Sequence, residues 1–375
     1  MYRLSVVIPT YNRADGLERV LTALELQEPA GFAFEVVVVD DGSQDRTAEL
    51  LASWRARRYR LRFDRQSNGG PALARNRALT MATGDLVLFG GDDIEPHPRQ
   101  VWEHIREHDR RNDPWAAVLG LTQWPDGIPL TSTMRHIDGP GAQQFSYHAF
   151  TPGEEYDFRH FYTSNVSLRR SLLAEEPGGF STAFRWAAFE DAELAYRLSR
   201  RGMKIYYHPS AVTWHHHPYD ARSFFVRQLR CGEMAEVLLR AHPQLAKWID
   251  VRELEWQRIE LLAAGDAHRS KVAYVLDDLN EWERRVTDLA VFLDEPVTDL
   301  ADTLLHPLLR YAFLKGLVRA RFGEGAGDAL AADLWLRSIP PAVDVLSRLA
   351  IKRGVPLPRK DAEAIIALGR EKYAR

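Results

Sequence analysis

A chain of 375 residues with 45% hydrophobic and 27% charged side chains has ordinary globular composition and a length suited to roughly two to three domains, which excludes a fibre or a disordered tail. The 49 Lys and Arg against 52 Asp and Glu leave a net charge of −3, so no basic excess draws it to nucleic acid. Its one cysteine, Cys231, can form neither an intramolecular disulfide nor a thiolate zinc site. No apolar run reaches the roughly 20 residues that span a bilayer, and the first residues read as a strand rather than a secretion signal. A cytoplasmic protein that does not cross a membrane is expected.

Residues 4–9 read as a buried strand and 16–27 as a helix, with Leu17, Val20, Leu21 and Leu24 at helical spacing. A second strand over 34–39 precedes a helix over 46–56, for which Ser43, Asp45 and Thr47 are candidate caps. There follow a strand over 59–64, the turn Asn68-Gly69-Gly70, a helix over 71–81 that opens on proline, and an apolar strand over 85–89. This alternation predicts an α/β fold on a doubly wound, mostly parallel, Rossmann-like sheet. Such sheets gather ligands beyond the carboxyl ends of their strands.

From 123 to 161 the pattern gives way to a segment rich in Pro, Gly and aromatic residues, too long for a connector. A strand over 163–168, a helix over 190–201 and a strand over 204–208 close the first domain near His217. Beyond Tyr219 the chain becomes Leu, Ala, Arg and Glu at helical spacing as far as Arg375. Two domains are therefore expected: 1–217, and an α-helical 218–375 of open role.

Acidic clusters stand where strands end or a helix begins: Asp40-Asp41, Asp92-Asp93, Glu190-Asp191 and, more loosely, Asp45. Carboxylates so placed bind a divalent metal, accept hydrogen bonds from a base or ribose, or take a proton from a nucleophile. A single such pair is more often a solvated turn or a helix cap. Asp92 and Asp93 follow Gly90-Gly91, whose glycines let the backbone bend and leave space for a bulky ligand. One or two carboxylates suffice for Mg²⁺ or Mn²⁺ when a diphosphate completes the shell. The run Trp214-His215-His216-His217 offers an imidazole, or is a surface loop with incidental histidines.

Ser5-Val6-Val7-Ile8-Pro9-Thr10-Tyr11-Asn12-Arg13, Val39-Asp40-Asp41-Gly42-Ser43-Gln44-Asp45-Arg46-Thr47, Ala74-Arg75-Asn76, Gly91-Asp92-Asp93 and Phe189-Glu190-Asp191-Ala192-Glu193-Leu194 occur in the order and spacing of the family 2 glycosyltransferases. The resemblance covers roughly residues 3–217. It implies a GT-A fold, a nucleotide-diphosphate sugar donor, a divalent metal (Mn²⁺ or Mg²⁺) and inversion at the anomeric carbon, in hexosyl transfer to an acceptor hydroxyl.

Carried over by motif, Pro9 and Tyr11 resemble residues of the nucleotide-contacting first loop. Asp41 resembles the acid that accepts the imide hydrogen of uracil or thymine, which favours a UDP- or dTDP-sugar, with Asp40 supporting it. Arg75 resembles a basic residue that reaches the base or diphosphate. Asp93 resembles the metal ligand and Asp92 its ribose-side partner; His215, with His217 as rival in register, resembles the imidazole of the metal or diphosphate site. Asp191 resembles the general base, with Glu190 beside it. Gly90 stands where many members carry an acid, which implies weaker metal binding.

The helix dipole at the start of the predicted 190–201 helix is expected to keep Asp191 ionised. Trp124 and other aromatics before Phe161 could stack on a sugar, although such residues are more often core anchors. Asn165, in Thr163-Ser164-Asn165, resembles a polar group beside the acceptor.

The basic residues Arg310, Lys315, Arg319 and Arg321, interleaved with apolar ones, suit a helix lying on an anionic membrane near a lipid-linked acceptor. Packing against the domain or a second copy of the chain is favoured, because so many apolar residues leave little helix surface for solvent. Acceptors in surface polysaccharide, lipid-linked or small-glycoside chemistry all suit the pattern. Two readings compete: a silent nucleotide-sugar-binding module, and a sugar nucleotidyltransferase, which would carry a glycine-rich basic loop where Pro9-Thr10-Tyr11-Asn12-Arg13 stands.

Overall fold

The computed structural model describes residues 3–28, 31–174, 176, 178–251, 275, 278–294 and 300–373; the helical character expected over 252–274 and 295–299 falls outside the described residues. The chain divides into two compact units, one of Met1–Ile128 with Tyr147–His217 and one of Pro129–Ser146 with Pro218–Arg375. The aromatic segment expected in the first domain thus lends residues 129–146 to the second unit.

In the first unit β1 (Leu4–Thr10), α1 (Ala14–Glu25), β2 (Phe34–Asp40), α2 (Thr47–Ser53), β3 (Arg60–Arg65), α3 (Pro71–Met81) and β4 (Leu86–Phe89) alternate. Period-two geometry sends successive strand residues to opposite faces. Val7, Val37, Val87 and Phe89 meet Ala74 and Ala78 of α3 on one side, while Leu4, Val6, Ile8, Val36 and Val38 meet Leu17, Leu21 and Leu24 of α1 on the other. Both faces are covered, which is why these strands read as unbroken apolar runs. The second helix stops at Ser53, short of the expected 56, because Trp54 turns extended (ψ 134°).

The chain continues through β5 (Ile94–Pro96), α4 (Gln100–Arg111), β6 (Ala116–Gln123), α5 (Ser132–Asp138, in the second unit), β7 (Glu155–Tyr156), β8 (Val166–Arg169), α6 (Arg170–Ala174), α7 (Glu190–Ser199) and β9 (Lys204–His215). The sheet order is β3-β2-β1-β4-β8-β6-β9-β5, with β7 on β9. Strands β3-β2-β1-β4 are parallel, as are β6 and β9; β8 runs antiparallel between β4 and β6. The sheet is a mixed one around a parallel half.

The last strand, expected over 204–208, runs on to His215 after a register shift opposite Gly120 and Leu121. That extension pairs His215 with Ile94 and Trp214 with Glu95, fixing which histidine faces where. Tyr147, Phe150, Tyr156 and Phe158 of the aromatic segment, with Tyr162 just after it, pack on the core.

The second unit holds α8 (Ala221–Ala241), α9 (Ala246–Ile249), α10 (Leu279–Asp294), α11 (Leu300–Phe322), α12 (Ala326–Arg353) and α13 (Arg359–Tyr373). Helices α8 and α11 cross through reciprocal glycines. A Cβ on Gly232 would lie 1.9 Å from the Phe313 carbonyl oxygen, and one on Gly316 1.9 Å from that of Leu229. The basic residues of α11 are engaged inside this unit: Lys315 Nζ donates to both oxygens of Glu283 (2.6 and 2.8 Å), Arg319 pairs with Asp328 at 3.0 Å, and Arg310 donates to the Asp250 carbonyl. Most of α11 is thus packed within the unit, while Arg319 and Arg321 at its end are exposed. No described helix is long and apolar enough to cross a membrane.

Candidate active site

The loop after β1 is tied down by polar contacts. Asn12, in the left-handed region (φ 53°), donates its amide to Ser43 Oγ (2.8 Å) and accepts from the Gln44 amide (2.7 Å). Asp45 takes the Ala14 amide at 2.9 Å and the Thr47 hydroxyl at 2.6 Å. It therefore joins the starts of α1 and α2, as a cap and not as a ligand group. Pro9 is partly covered at the end of β1 and Tyr11 is exposed beside it.

At the end of β4, Asp92 accepts from the Thr10 hydroxyl at 2.8 Å and from the Tyr11 backbone, clasping the first loop. Asp93 Oδ2 accepts from Arg13 Nη1 at 2.8 Å and lies 3.7 Å from His215 Nε2 and 3.9 Å from His217 Nδ1. The second guanidinium nitrogen of Arg13 meets His217 Nδ1 at 2.6 Å. His215, at the end of β9, and His217, just past it, both face Asp93, whereas His216 meets Glu95 at 2.6 Å. Both rival histidines thus stand at the acid.

Trp124 stacks on His215 (ring centroids 5.0 Å, 16° between planes) and so backs the imidazole with the face expected for a sugar. A cavity of about 390 Å³ lined by Asn12, Arg13, Asp15, Arg19, Asp93 and His216 opens here.

The two carboxylates titrate apart. Burial, then the charge of Asp93, pushes Asp92 up against the pull of Arg13. Burial works upward on Asp93 too, but the hydrogen bond and charge of His215, with Arg13 and His217, hold it well below the usual carboxylate range. Gly91 is tight, since a Cβ there would lie 3.0 Å from Asp93 Oδ1, whereas at Gly90 it would meet only Ile8 at 3.9 Å. An acid at position 90 would fit.

Asp41 Oδ1 accepts from Gln66 Nε2 (2.8 Å) and the Gly69 amide (2.9 Å), and Oδ2 from the Gly70 amide (2.8 Å). A carboxylate has about four acceptor positions, so this geometry leaves capacity for one further donor such as a base imide. Asp40 accepts from the Ser43 amide (2.8 Å) and pairs with Arg65 (3.3 Å), shaping the loop beneath.

The start of α7 brings together residues distant in sequence. Phe189 adopts the left-handed region (φ 65°), a strained conformation for a bulky residue and one that concentrates at functional sites. Glu190 Oε1 accepts from Arg75 Nη1 at 2.7 Å. Asp191 Oδ1 accepts from the Ala192 amide at 2.7 Å, with a further backbone bond from Thr163. Burial, then the neighbouring Glu190 charge, raises the Asp191 pKa, opposed by Arg75. The expected dipole effect is outweighed, because desolvation and a like charge act at closer range than the helix end.

The structure does not bring Asn165 to this site. It is 0% exposed; its amide donates to Leu121 O (3.1 Å) and Ala211 O (2.8 Å), and its oxygen faces Gln100 Nε2 and His104 Nε2, both at 2.8 Å. Two donors and two lone pairs are all used, so Asn165 is a structural tie under α4. The contacts sequence reasoning missed are those of Thr10, Arg13 and Asn76. All three lie inside the motifs, and chain position alone does not show which side chains face a partner.

For a divalent metal the donor chemistry fits in part. Asp93 and His215 present oxygen and nitrogen to one point, as Mn²⁺ or Mg²⁺ accepts, but among the described residues no group of three or more His, Cys, Asp and Glu is arranged to hold one. A diphosphate would have to supply the remaining ligands.

The sequence pattern of Glycosyl transferase family 2 matches residues 5–175. The uncharacterized glycosyltransferase YfnE of Bacillus subtilis is 38% identical over 264 residues, covering 59% of this chain and 67% of that one. The chain belongs to glycosyl transferase family 2. Poly(ribitol-phosphate) beta-N-acetylglucosaminyltransferase TarS of Staphylococcus aureus is 38% identical over 339 residues, 86% of this chain and 55% of that one. The mannosyltransferase PcManGT from Pyrobaculum calidifontis, solved with GDP-Man and Mn²⁺, superposes with a TM-score of 0.50 at 18% identity over 99% of this chain and 87% of its own. That likeness concerns the fold, which is GT-A-like. The chain spans about half the length of the validoxylamine A glucosyltransferases of Streptomyces hygroscopicus, to which it is 32–33% identical over 225 residues.

Proposed function

We propose that this family 2 protein is a metal-dependent inverting transferase that moves a hexosyl group from a UDP- or dTDP-sugar to an acceptor hydroxyl. The observation that carries the reading is Asp191, a partly covered carboxylate beside the buried Glu190 and a strained backbone turn at the start of α7, its pKa pushed up by desolvation and the Glu190 charge. A base must be ionised yet basic enough to accept a proton near neutral pH, and burial next to Glu190 moves Asp191 toward that condition.

In this reading Asp41, with one acceptor position left, orients the base. Pro9, Tyr11 and Asp40 frame the nucleotide pocket, and Asp92 fixes the first loop through Thr10 and Tyr11. Asp93 and His215 would hold Mn²⁺ or Mg²⁺, with His217 at the same carboxylate, and Trp124 keeps the His215 ring in plane. When bound, the metal supplies Lewis-acid stabilisation of the departing diphosphate. Asp191 takes the proton of the acceptor hydroxyl as that oxygen attacks the anomeric carbon, and the bond to the diphosphate breaks on the opposite face. A single displacement inverts the centre.

The TarS relative is named for a polymeric acceptor, which supports a cell-surface polysaccharide or glycoconjugate as acceptor here. A single buried cysteine is in keeping with transfer in the cytoplasm. The test is release of nucleoside diphosphate from a panel of sugar donors with and without Mn²⁺, followed by NMR of the product anomer. Metal-dependent release with inversion is expected. Donor binding without turnover would favour the silent module.

A further inference from the structure

The motif Ala74-Arg75-Asn76 resembles a nucleotide-contacting element, yet its side chains are turned to the segment that leads into α7. Arg75 is 9% exposed in its side chain and Glu190 3%. Their ion pair at 2.7 Å joins α3 to the first residue of α7, and the guanidinium carbon lies 5.5 Å from the centre of the Phe180 ring.

Asn76 grips the same segment at a second point. Its Nδ2 donates to the Phe180 carbonyl and its Oδ1 accepts from the Phe180 amide, both at 2.8 Å, so one side-chain amide satisfies both backbone groups of one residue. Gly179 (φ 59°) passes so close that a Cβ would lie 2.5 Å from Asn76 Oδ1, and a Cβ on Gly70 would lie 2.9 Å from the Arg185 carbonyl oxygen. Residues 179–190 are therefore laid along the start of α3 and fastened at 180 and 190, one residue before Asp191.

We infer that Arg75 and Asn76 form a two-point clamp that seats the Glu190-Asp191 turn, making Arg75 a positioning residue for the base. The inference rests on the proposed role of Asp191. A guanidinium already committed to a buried carboxylate can reach a nucleotide only by leaving Glu190 uncompensated, and breaking one side of a buried pair is strongly unfavourable. Arg75 Nε and Glu190 Oε2 are buried with no hydrogen-bond partner among the described residues, so the Arg75 end of the clamp rests on one bond and one ring contact. The guanidinium also offsets the Glu190 charge that faces Asp191, and both charges act on that acid, Glu190 upward and Arg75 downward.

The test compares Arg75→Met, Arg75→Lys, Glu190→Gln, Asn76→Ala and the double variant Arg75→Met/Glu190→Gln with the full chain. It reads kcat of metal-dependent donor turnover, UDP affinity by calorimetry, and thermal midpoint. Arg75→Met is expected to lower kcat by about tenfold or more with UDP affinity changed less than about twofold, the signature of a lost positioning contact. Arg75→Lys should recover part of the loss, and Asn76→Ala should lower kcat in the same direction. The double variant should regain thermal midpoint over Arg75→Met, because the stranded carboxylate is gone.

Loss of UDP affinity by tenfold or more in Arg75→Met, with kcat kept, would make Arg75 a nucleotide contact and overturn the clamp. So would independent, multiplying effects of Arg75→Met and Glu190→Gln. If Arg75→Met fails to fold, Arg75→Lys and the double variant decide the matter by the same readouts. Full turnover in Asp191→Asn would instead sink the assignment of the base, whatever the midpoints say of the clamp.

Discussion

The first unit carries two adjacent acid pairs of similar design and different exposure. In Asp92-Asp93 and in Glu190-Asp191 an arginine from elsewhere in the chain grips one carboxylate, Arg13 on Asp93 and Arg75 on Glu190, while the other acid is pushed up in pKa by burial and its neighbour's charge. Arg13 is 36% exposed in its side chain and lines an open cavity; Arg75 is almost wholly enclosed. A partly solvated ion pair is worth little and exchanges easily, whereas a buried one is expensive to break. The same motif thus serves as a replaceable cation at one place and a fixed strut at the other.

The comparison breaks most sharply at the raised acid of the buried pair. Asp191→Asn should cut donor-to-acceptor transfer by about 10²–10⁴, the usual worth of a positioned base, with UDP affinity unchanged by calorimetry. The isosteric change keeps the Ala192 amide bond and removes only basicity. If Asp92→Asn proved the more damaging to kcat, the two pairs would have to exchange roles.

At the open pair, Asp93→Asn should weaken Mn²⁺ binding by about a hundredfold, since loss of outer-shell partners alone weakens metal affinity by about 10–100-fold. Electron paramagnetic resonance titration of Mn²⁺ reads it directly. Affinity held within twofold would place the metal elsewhere.

How far such pairs are legible in sequence depends on what each residue must do locally. Strands β1, β2 and β4 and helices α1 and α3 declared themselves because period-two and 3.6-residue patterns encode burial. Strand direction is not so encoded, and the expectation of a mostly parallel sheet left open that β8 lies antiparallel between β4 and β6. Helix α4 went unseen because its buried residues are mostly polar: Val101 and Ile105 stand among Gln100, Glu103, His104, Glu107 and His108, which dilutes the apolar pattern. Gln100, His104 and His108 are made tolerable by Asn165 and Ser167, more than 50 residues away, and Glu103 and Glu107 by arginines of the same helix region. For the same reason Asn165 resembled a ligand group in sequence, since a polar residue at a strand start gives no sign that its partners lie within the protein. The acids of the site and both arginines were visible as motif letters, but which arginine pairs with which acid was not, because each pair spans 80 or more positions along the chain (Arg13 to Asp93, 80; Arg75 to Glu190, 115).

The raised pKa of Asp191 also has a sign in pH. The base acts ionised, so activity should rise with pH through the folded-state value and fall away below it by about tenfold per pH unit, as for any single essential deprotonation. Because burial and Glu190 move that value upward from the ordinary aspartate range, the acid limb of kcat should lie above it. Arg75 pulls the other way, so Arg75→Lys, with a less closely held charge, should shift the limb further up. A limb in the unperturbed aspartate range would remove the reason for pairing Glu190 with Asp191.

The smallest expected effect separates the two arginines. A divalent ion approaching Asp93 Oδ2 meets the Arg13 guanidinium already there, 2.8 Å away, and must displace one positive charge before it binds. Arg13→Gln removes that competitor and leaves a side chain that still hydrogen-bonds. Mn²⁺ affinity in the absence of nucleotide should therefore tighten by roughly two- to tenfold, the scale of one partly screened charge, and the gain should shrink as ionic strength rises. Arg75→Lys should leave Mn²⁺ affinity where it was, since its partner belongs to the other pair. Unchanged or weaker Mn²⁺ binding in Arg13→Gln would show that Arg13 helps to hold the metal site in shape, and the open pair would then be as much a strut as the buried one.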